Sequence, residues 1–138
     1  MFWCSRLLSL YPKGKWMAEE LKKSILVIDD ADAIRTFLRI SLGDLGMKVT
    51  EAKTAQDGLR AFRDQSPDYV ALDLGLPDDD GIEVLRQIKA DGAGKRTHVI
   101  VLSARYGNKI KDEARALGAL AFIPKPFVID DLLEVIGC

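Results

Sequence analysis

The sequence predicts an α/β protein built on a parallel sheet, and two observations carry that expectation. Short, mostly apolar runs alternate five times with segments whose apolar residues recur at helical spacing, and the connections between them are short. A strand that is apolar on both sides is covered on both faces. Strand–helix alternation sets neighbouring strands parallel through crossover helices.

The first run, Ile25-Leu26-Val27-Ile28, ends in Asp29-Asp30. From Asp32 the period changes: Ile34, Phe37, Leu38, Ser41 and Leu45 follow a helix, and Gly46 suits a left-handed end to it. Residues 47–50 read as a short, less buried strand, followed by Glu51-Ala52 without an evident role. Thr54 is placed to cap a second helix with Ala55, Leu59 and Phe62 on its inner face, stopped before Pro67. Tyr69-Val70-Ala71-Leu72 is the third strand and ends on Asp73, where the chain breaks into a Gly/Pro/Asp loop closing at Gly81. A third helix turns Ile82, Leu85 and Ile88 inward, and residues 91–96 form a polar loop. His98-Val99-Ile100-Val101-Leu102 is the fourth strand, ending in Ser103-Ala104. A helix with Ile110, Ala114 and Leu117 then stops at Gly118. Leu120-Ala121-Phe122-Ile123 is the fifth strand, before Pro124-Lys125-Pro126. The last helix carries Ile129, Leu132, Leu133 and Ile136 at i, i+3, i+4 and i+7.

With 138 residues, 48% hydrophobic and 30% charged, the chain fits one globular domain with its own core. The net charge of −1 gives no bulk nucleic-acid footprint. Cys4 and Cys138 lie at opposite ends, without metal or disulfide spacing, which favours a reducing cytoplasm. Residues 1–23 are expected to be a leader, disordered or vector-derived, with Met17 as an alternative start, and 24–138 to be the domain. The apolar part of 1–16 is too short and polar to span a membrane and lacks a cleavage site. A docking arm or membrane-surface anchor is the functional alternative for it.

Ligands of open parallel sheets bind beyond the carboxyl ends of the strands. Here those ends carry Asp29 and Asp30, Asp73, Ser103 and Lys125. An acid ending a buried strand is costly unless a charge is needed there. At about 4 Å and an effective dielectric near 20, each pair of carboxylates repels by about 4 kcal/mol, and one lysine cannot cancel three. A divalent cation can, and oxygen-only ligands suit Mg²⁺. A metal, a lysine and a carboxylate nucleophile are also the parts of phosphoryl transfer through an aspartyl phosphate.

The set Asp29-Asp30, Asp73 in Asp-Leu-Gly-Leu-Pro-Asp-Asp-Asp-Gly, Ser103-Ala104 and Lys125-Pro126-Phe127 resembles the receiver domain of two-component response regulators, over residues 24–136. The resemblance implies a flavodoxin-like, doubly wound (βα)5 fold of strand order 2-1-3-4-5. It implies that Asp73 accepts a phosphoryl group from a histidine kinase or a histidine phosphotransfer protein. Asp30, Asp73 and the Gly75 carbonyl would bind Mg²⁺ directly, with Asp29 acting through metal-bound water. Lys125 would pair with Asp73 and then with the phosphoryl group. Ser103 and the Ala104 N–H would donate to phosphoryl oxygens. Phe122 stands at the switch aromatic, which turns inward when the hydroxyl residue moves, and Lys125-Pro126 at the family's cis peptide. Activation would reshape the face of the fourth helix, fifth strand and fifth helix, read by an unidentified downstream protein. The implied protein is cytoplasmic and catalyses only its own phosphorylation and dephosphorylation. It contacts neither nucleic acid nor membrane directly, and is a monomer able to dimerise when phosphorylated.

Ser103 stands where threonine is commoner and keeps the hydroxyl. Phe122 lacks one, so its movement rests on packing. Gly75 and Arg105 fill two variable positions that influence phosphate lifetime in this family. Singly, these residues have plainer readings: Asp29-Asp30 as helix caps, Asp78-Asp79-Asp80 as a solvated turn, His98 as structural, Phe122 as core. Competing functions are an interaction module of the same fold that is not phosphorylated, a metal-dependent hydrolase, and the receiver of a longer DNA-binding regulator.

Overall fold

The computed structural model describes residues 23–105 and 107–137; the expectations for residues 1–22 and for Cys138 lie outside them. Among the described residues there are five strands: β1 (Ser24–Ile28), β2 (Lys48–Ala52), β3 (Tyr69–Leu72), β4 (His98–Ser103) and β5 (Ala121–Pro124). Five helices connect and follow them: α1 (Asp32–Gly43), α2 (Ala55–Gln65), α3 (Gly81–Ala90), α4 (Asn108–Ala116) and α5 (Ile129–Ile136). All strand pairs are parallel, in the order β2-β1-β3-β4-β5.

The apolar runs divide with a period of two between the faces of the sheet. Ile25, Val27, Tyr69, Ala71, Ile100, Leu102 and Ile123 pack with Leu38 and Leu42 of α1 and Leu132, Leu133 and Ile136 of α5. Leu26, Ile28, Val70, Leu72, Val99 and Val101 pack on the other face with α2, α3 and Ala114 of α4. This two-sided burial is why the central strands read as unbroken apolar runs. Edge strand β2 is instead exposed or half-buried throughout until Ala52.

The helix ends follow local chemistry. The Thr54 hydroxyl accepts the Asp57 N–H at 3.1 Å, and Asp80 accepts the Ile82 N–H at 3.0 Å at the start of α3. Chain reversal after α1 uses Gly46 at φ +92°. That glycine lies beyond the helix, which already closes at Gly43.

The inward face of α1 differs from the expected one. Arg35, Leu38 and Leu42 are its buried residues, while Phe37 is 41% exposed and meets Phe127 edge-on. A buried arginine with charged partners joins that face and Phe37 leaves it, while Ile34, Leu38 and Leu45 pack on the core as their spacing suggested. The fifth strand is also one residue later than expected, 121–124 rather than 120–123.

Candidate functional site

Sheet register builds the site. Ile28 pairs with Leu72 across β1 and β3, so the residues that follow, Asp29 and Asp73, emerge side by side. The Asp73 N–H still donates to the Ile28 carbonyl at 2.9 Å, and the Asp29 N–H to the Ala52 carbonyl at 3.1 Å. At the other side β4 pairs Ser103 with Pro124, and the Lys125 N–H donates to the Ser103 carbonyl at 2.8 Å. Backbone ladders thus deliver Asp29, Asp73, Ser103 and Lys125 to one edge.

The Lys125 Nζ bridges the two buried acids, 2.8 Å from Asp29 Oδ2 and 3.3 Å from Asp73 Oδ1. Burial, then the Asp29 charge, pushes the Asp73 carboxyl above its ordinary range, against the opposing pull of Lys125 and of the Gly75 N–H. Burial alone would lower the Lys125 ammonium, but the hydrogen bond and charge of Asp29, joined by Asp73, hold it above its usual value. Lys125-Pro126 is a cis peptide.

Asp29, Asp30 and Asp73 each bring a carboxylate oxygen within 4.8 Å of the others. Asp29 is engaged twice, by Lys125 and by the Ala31 N–H at 2.9 Å. Asp30 is exposed, and its carboxylate makes no hydrogen bond or ion pair among the described residues. Three crowded acids, two buried and one facing solvent, form a donor set that suits a hard cation retaining waters.

The loop after Asp73 is closed by a bridge between Gly75 and Asp80. Gly81 lets α3 sit directly on it: a Cβ there would lie 2.5 Å from the Asp73 carbonyl oxygen and 2.5 Å from the Leu74 Cα. Asp78, in the middle of the acidic run, does more than turn the chain. Its carboxylate accepts the Ala55 N–H at 2.7 Å and the Gln56 N–H at 3.0 Å, capping α2 from 23 residues away. Those bonds hold its carboxyl below the ordinary range.

Ser103 is buried, and its hydroxyl accepts the Arg105 N–H at 3.0 Å. Arg105 reaches across to Asp80 at 3.4 Å, while Ala104 is exposed. Phe122 is half-buried, packed against the α2–α3–α4 face two residue pairs below the Ser103–Pro124 pair. His98 lies at the opposite end of β4, its ring 5.5 Å from that of Tyr69, away from the acids.

Two groups near the site were not apparent in the sequence. Arg35 is buried on α1 and donates to the Asp29 carbonyl at 2.5 Å, and its guanidinium pairs with Asp32 and, at 3.3 Å, with Glu51. Glu51 also pairs with Arg39 at 3.2 Å, which gives the end of β2 a role. A charged residue at the acid–helix junction was the available signal, but it is equally the signal of a solvated helix face.

The fold and the clustered acids with their lysine define a doubly wound α/β domain with a polar site at its strand ends. Residues 25–137 match the family model described as response regulator receiver domain. The chain belongs to that family. It is 45% identical over 109 residues to the KDP operon transcriptional regulatory protein KdpE of Escherichia coli, covering 79% of this chain and 47% of that one. Identity is 33%, over 79% of this chain and 48% of the relative, with the virulence transcriptional regulatory protein PhoP of Salmonella typhimurium. The chain spans about half the length of these curated relatives. Among solved structures, chemotaxis protein CheY4 of Vibrio cholerae superposes with TM-score 0.78 at 25% identity, covering 83% of this chain and 96% of that one. The BeF3-activated DrrB receiver domain gives TM-score 0.75 at 30% identity, over 83% and 94% of the two chains. The strand order expected from the resemblance, 2-1-3-4-5, is the one observed. Among the described residues, no helix is long and apolar enough to cross a membrane.

Proposed function

We propose that this receiver domain is a phosphorylation switch whose acceptor is Asp73. The observation that carries the reading is Lys125 held between Asp29 and Asp73, with the free Asp30 carboxylate alongside. A buried carboxylate with its own ammonium is positioned for in-line attack on a phosphoryl group. An Asp73 carboxylate oxygen attacks phosphorus, the bond from phosphorus to the donor histidine nitrogen breaks, and the electron pair leaves on that nitrogen.

Asp30, Asp73 and the Gly75 carbonyl would hold Mg²⁺, with Asp29 reaching it through water. When bound, the ion would supply charge neutralisation at the phosphoryl oxygens. Lys125 then exchanges part of its hold on Asp73 for a phosphoryl oxygen, and Ser103 and the Ala104 N–H provide two more donors. For Ser103 to reach the phosphoryl group, its contact with the Arg105 N–H must open. That movement pulls on the chain entering α4 and vacates space toward Phe122. The readout is accordingly the α4–β5–α5 face, offered to a partner protein or a second copy of the chain.

The donor is a histidine kinase or histidine phosphotransfer protein of the cytoplasm. The transcriptional regulatory names of its relatives favour a role as the receiver part of a DNA-binding regulator over a free-standing interaction module. Acetyl phosphate with Mg²⁺ should add one phosphoryl group, seen by intact mass, in wild type and not in Asp73→Asn. Equal labelling of the two proteins would assign the acceptor elsewhere.

A further inference from the structure

We infer that Arg35 is a positioning residue that aims Asp30 at the cation site; the inference rests on the reading of Asp30 as a metal ligand. The Asp30 side chain has no partner of its own among the described residues, so its direction is set by the backbone that carries it. That backbone is gripped at the preceding peptide. The Asp29 N–H donates to the Ala52 carbonyl at 3.1 Å, and the Asp29 carbonyl, which belongs to the Asp29–Asp30 peptide, accepts Arg35 Nη1 at 2.5 Å. Arg35 is itself fixed, 5% exposed, with Nε 3.3 Å from Glu51 and Nη2 paired with Asp32.

The guanidinium therefore works as a three-way brace between the start of α1, the end of β2 and the Asp29–Asp30 peptide. Its planar fork can hold three acceptors at fixed angles, which an ammonium cannot. Releasing the brace frees rotation of the peptide plane ahead of Asp30. Two of the three carboxylates would keep their place, Asp29 through Lys125 and Asp73 through the β3 ladder, while Asp30 would wander.

The sign of the effect separates positioning from charge. Arg35 is a cation near a cation site, so by Coulomb's law its removal alone would tighten Mg²⁺ binding. Loss of positioning weakens it.

The test is calorimetric titration of MgCl₂ into the full chain, with folding checked by circular dichroism at the same temperature. We expect Arg35→Ala to raise the Mg²⁺ dissociation constant at least tenfold. Arg35→Lys should remain weakened relative to wild type, since charge without the fork does not restore the brace. Should Arg35→Ala not fold, the charge-conserving Arg35→Lys carries the comparison. Affinities equal to or tighter than wild type in the folded variants would overturn the inference while leaving the metal site standing. Asp30→Ala distinguishes the two levels: if it binds Mg²⁺ as wild type does, the reading of Asp30 as ligand fails, and the inference with it.

Discussion

Replacing Asp73 with asparagine should make the metal-free protein more stable, although it removes the proposed acceptor. Lys125 at 3.3 Å attracts the Asp73 carboxylate. At an effective dielectric near 20 that is about 5 kcal/mol, before solvent screening. Asp29 and Asp30, with carboxylate oxygens within 4.8 Å, repel it. The repulsion from buried Asp29 alone is about 3.5 kcal/mol on the same scale. Removing the carboxylate from water adds a penalty of several kcal/mol, so the ionised group is net unfavourable by about 1–2 kcal/mol. The raised carboxyl of Asp73 has the same sign.

Because the folded protein holds that proton more tightly than the unfolded chain does, stability falls as pH rises from the ordinary value of 3.8 through the higher folded value. Thermal melts in EDTA at pH 7 should therefore place Asp73→Asn about 4–8 °C above wild type. The gap should close below the ordinary carboxylate range, where both side chains are neutral. It should also narrow when Mg²⁺ stabilises only the wild type. A variant that melts at or below wild type in EDTA at pH 7 would refute the balance of charge and burial drawn here.

Two further outcomes can be checked by unfolding. Gly81→Ala forces a methyl to within 2.5 Å of the Asp73 carbonyl and the Leu74 Cα, both main-chain atoms. It should cost about 1–3 kcal/mol in urea unfolding, and an unchanged midpoint would mean that α3 is not seated as described. Asp78→Ala removes a carboxylate whose folded value is depressed by the Ala55 and Gln56 N–H groups. Its contribution is present above 3.8 and lost as pH falls through the lower folded value, so the variant should be less stable than wild type at pH 7 by a margin that shrinks at acid pH. An equal gap at neutral and acid pH would mean that the cap does not depend on the charge.

What could be read in the sequence is what depends on neighbours along the chain. Ile25–Ile28 and Tyr69–Leu72 show their two-sided burial directly, and the acids that end them mark the strand ends. Thr54 and Pro67 bracket α2 by local chemistry. Contacts set by the third dimension were hidden. Arg35 between Ile34 and Thr36 looks like a solvated helix residue, and its burial depends on Glu51, 16 positions away on β2. Asp78 looks like part of a turn because its partners, Ala55 and Gln56, belong to a different helix. The one unexpected charge on the inner face of α1 has the same origin: a polar residue went inside because its partners were there.

The helices are unequally anchored. Within α4 only Ala114 is buried, Ile110 and Leu117 flank it half-covered, and Gly107 at its start offers no side-chain cap. By contrast α3 buries five residues and α5 four. A folded domain of this size has about 5–15 kcal/mol of global stability. Shifting α4 would forfeit only a small part of that, comparable to the coupling free energy of about 1–3 kcal/mol that commonly links two sites in a protein. On the proposed reading of Asp73 as acceptor, a single covalent event at the strand ends would be of sufficient size to shift this helix while the sheet stays intact.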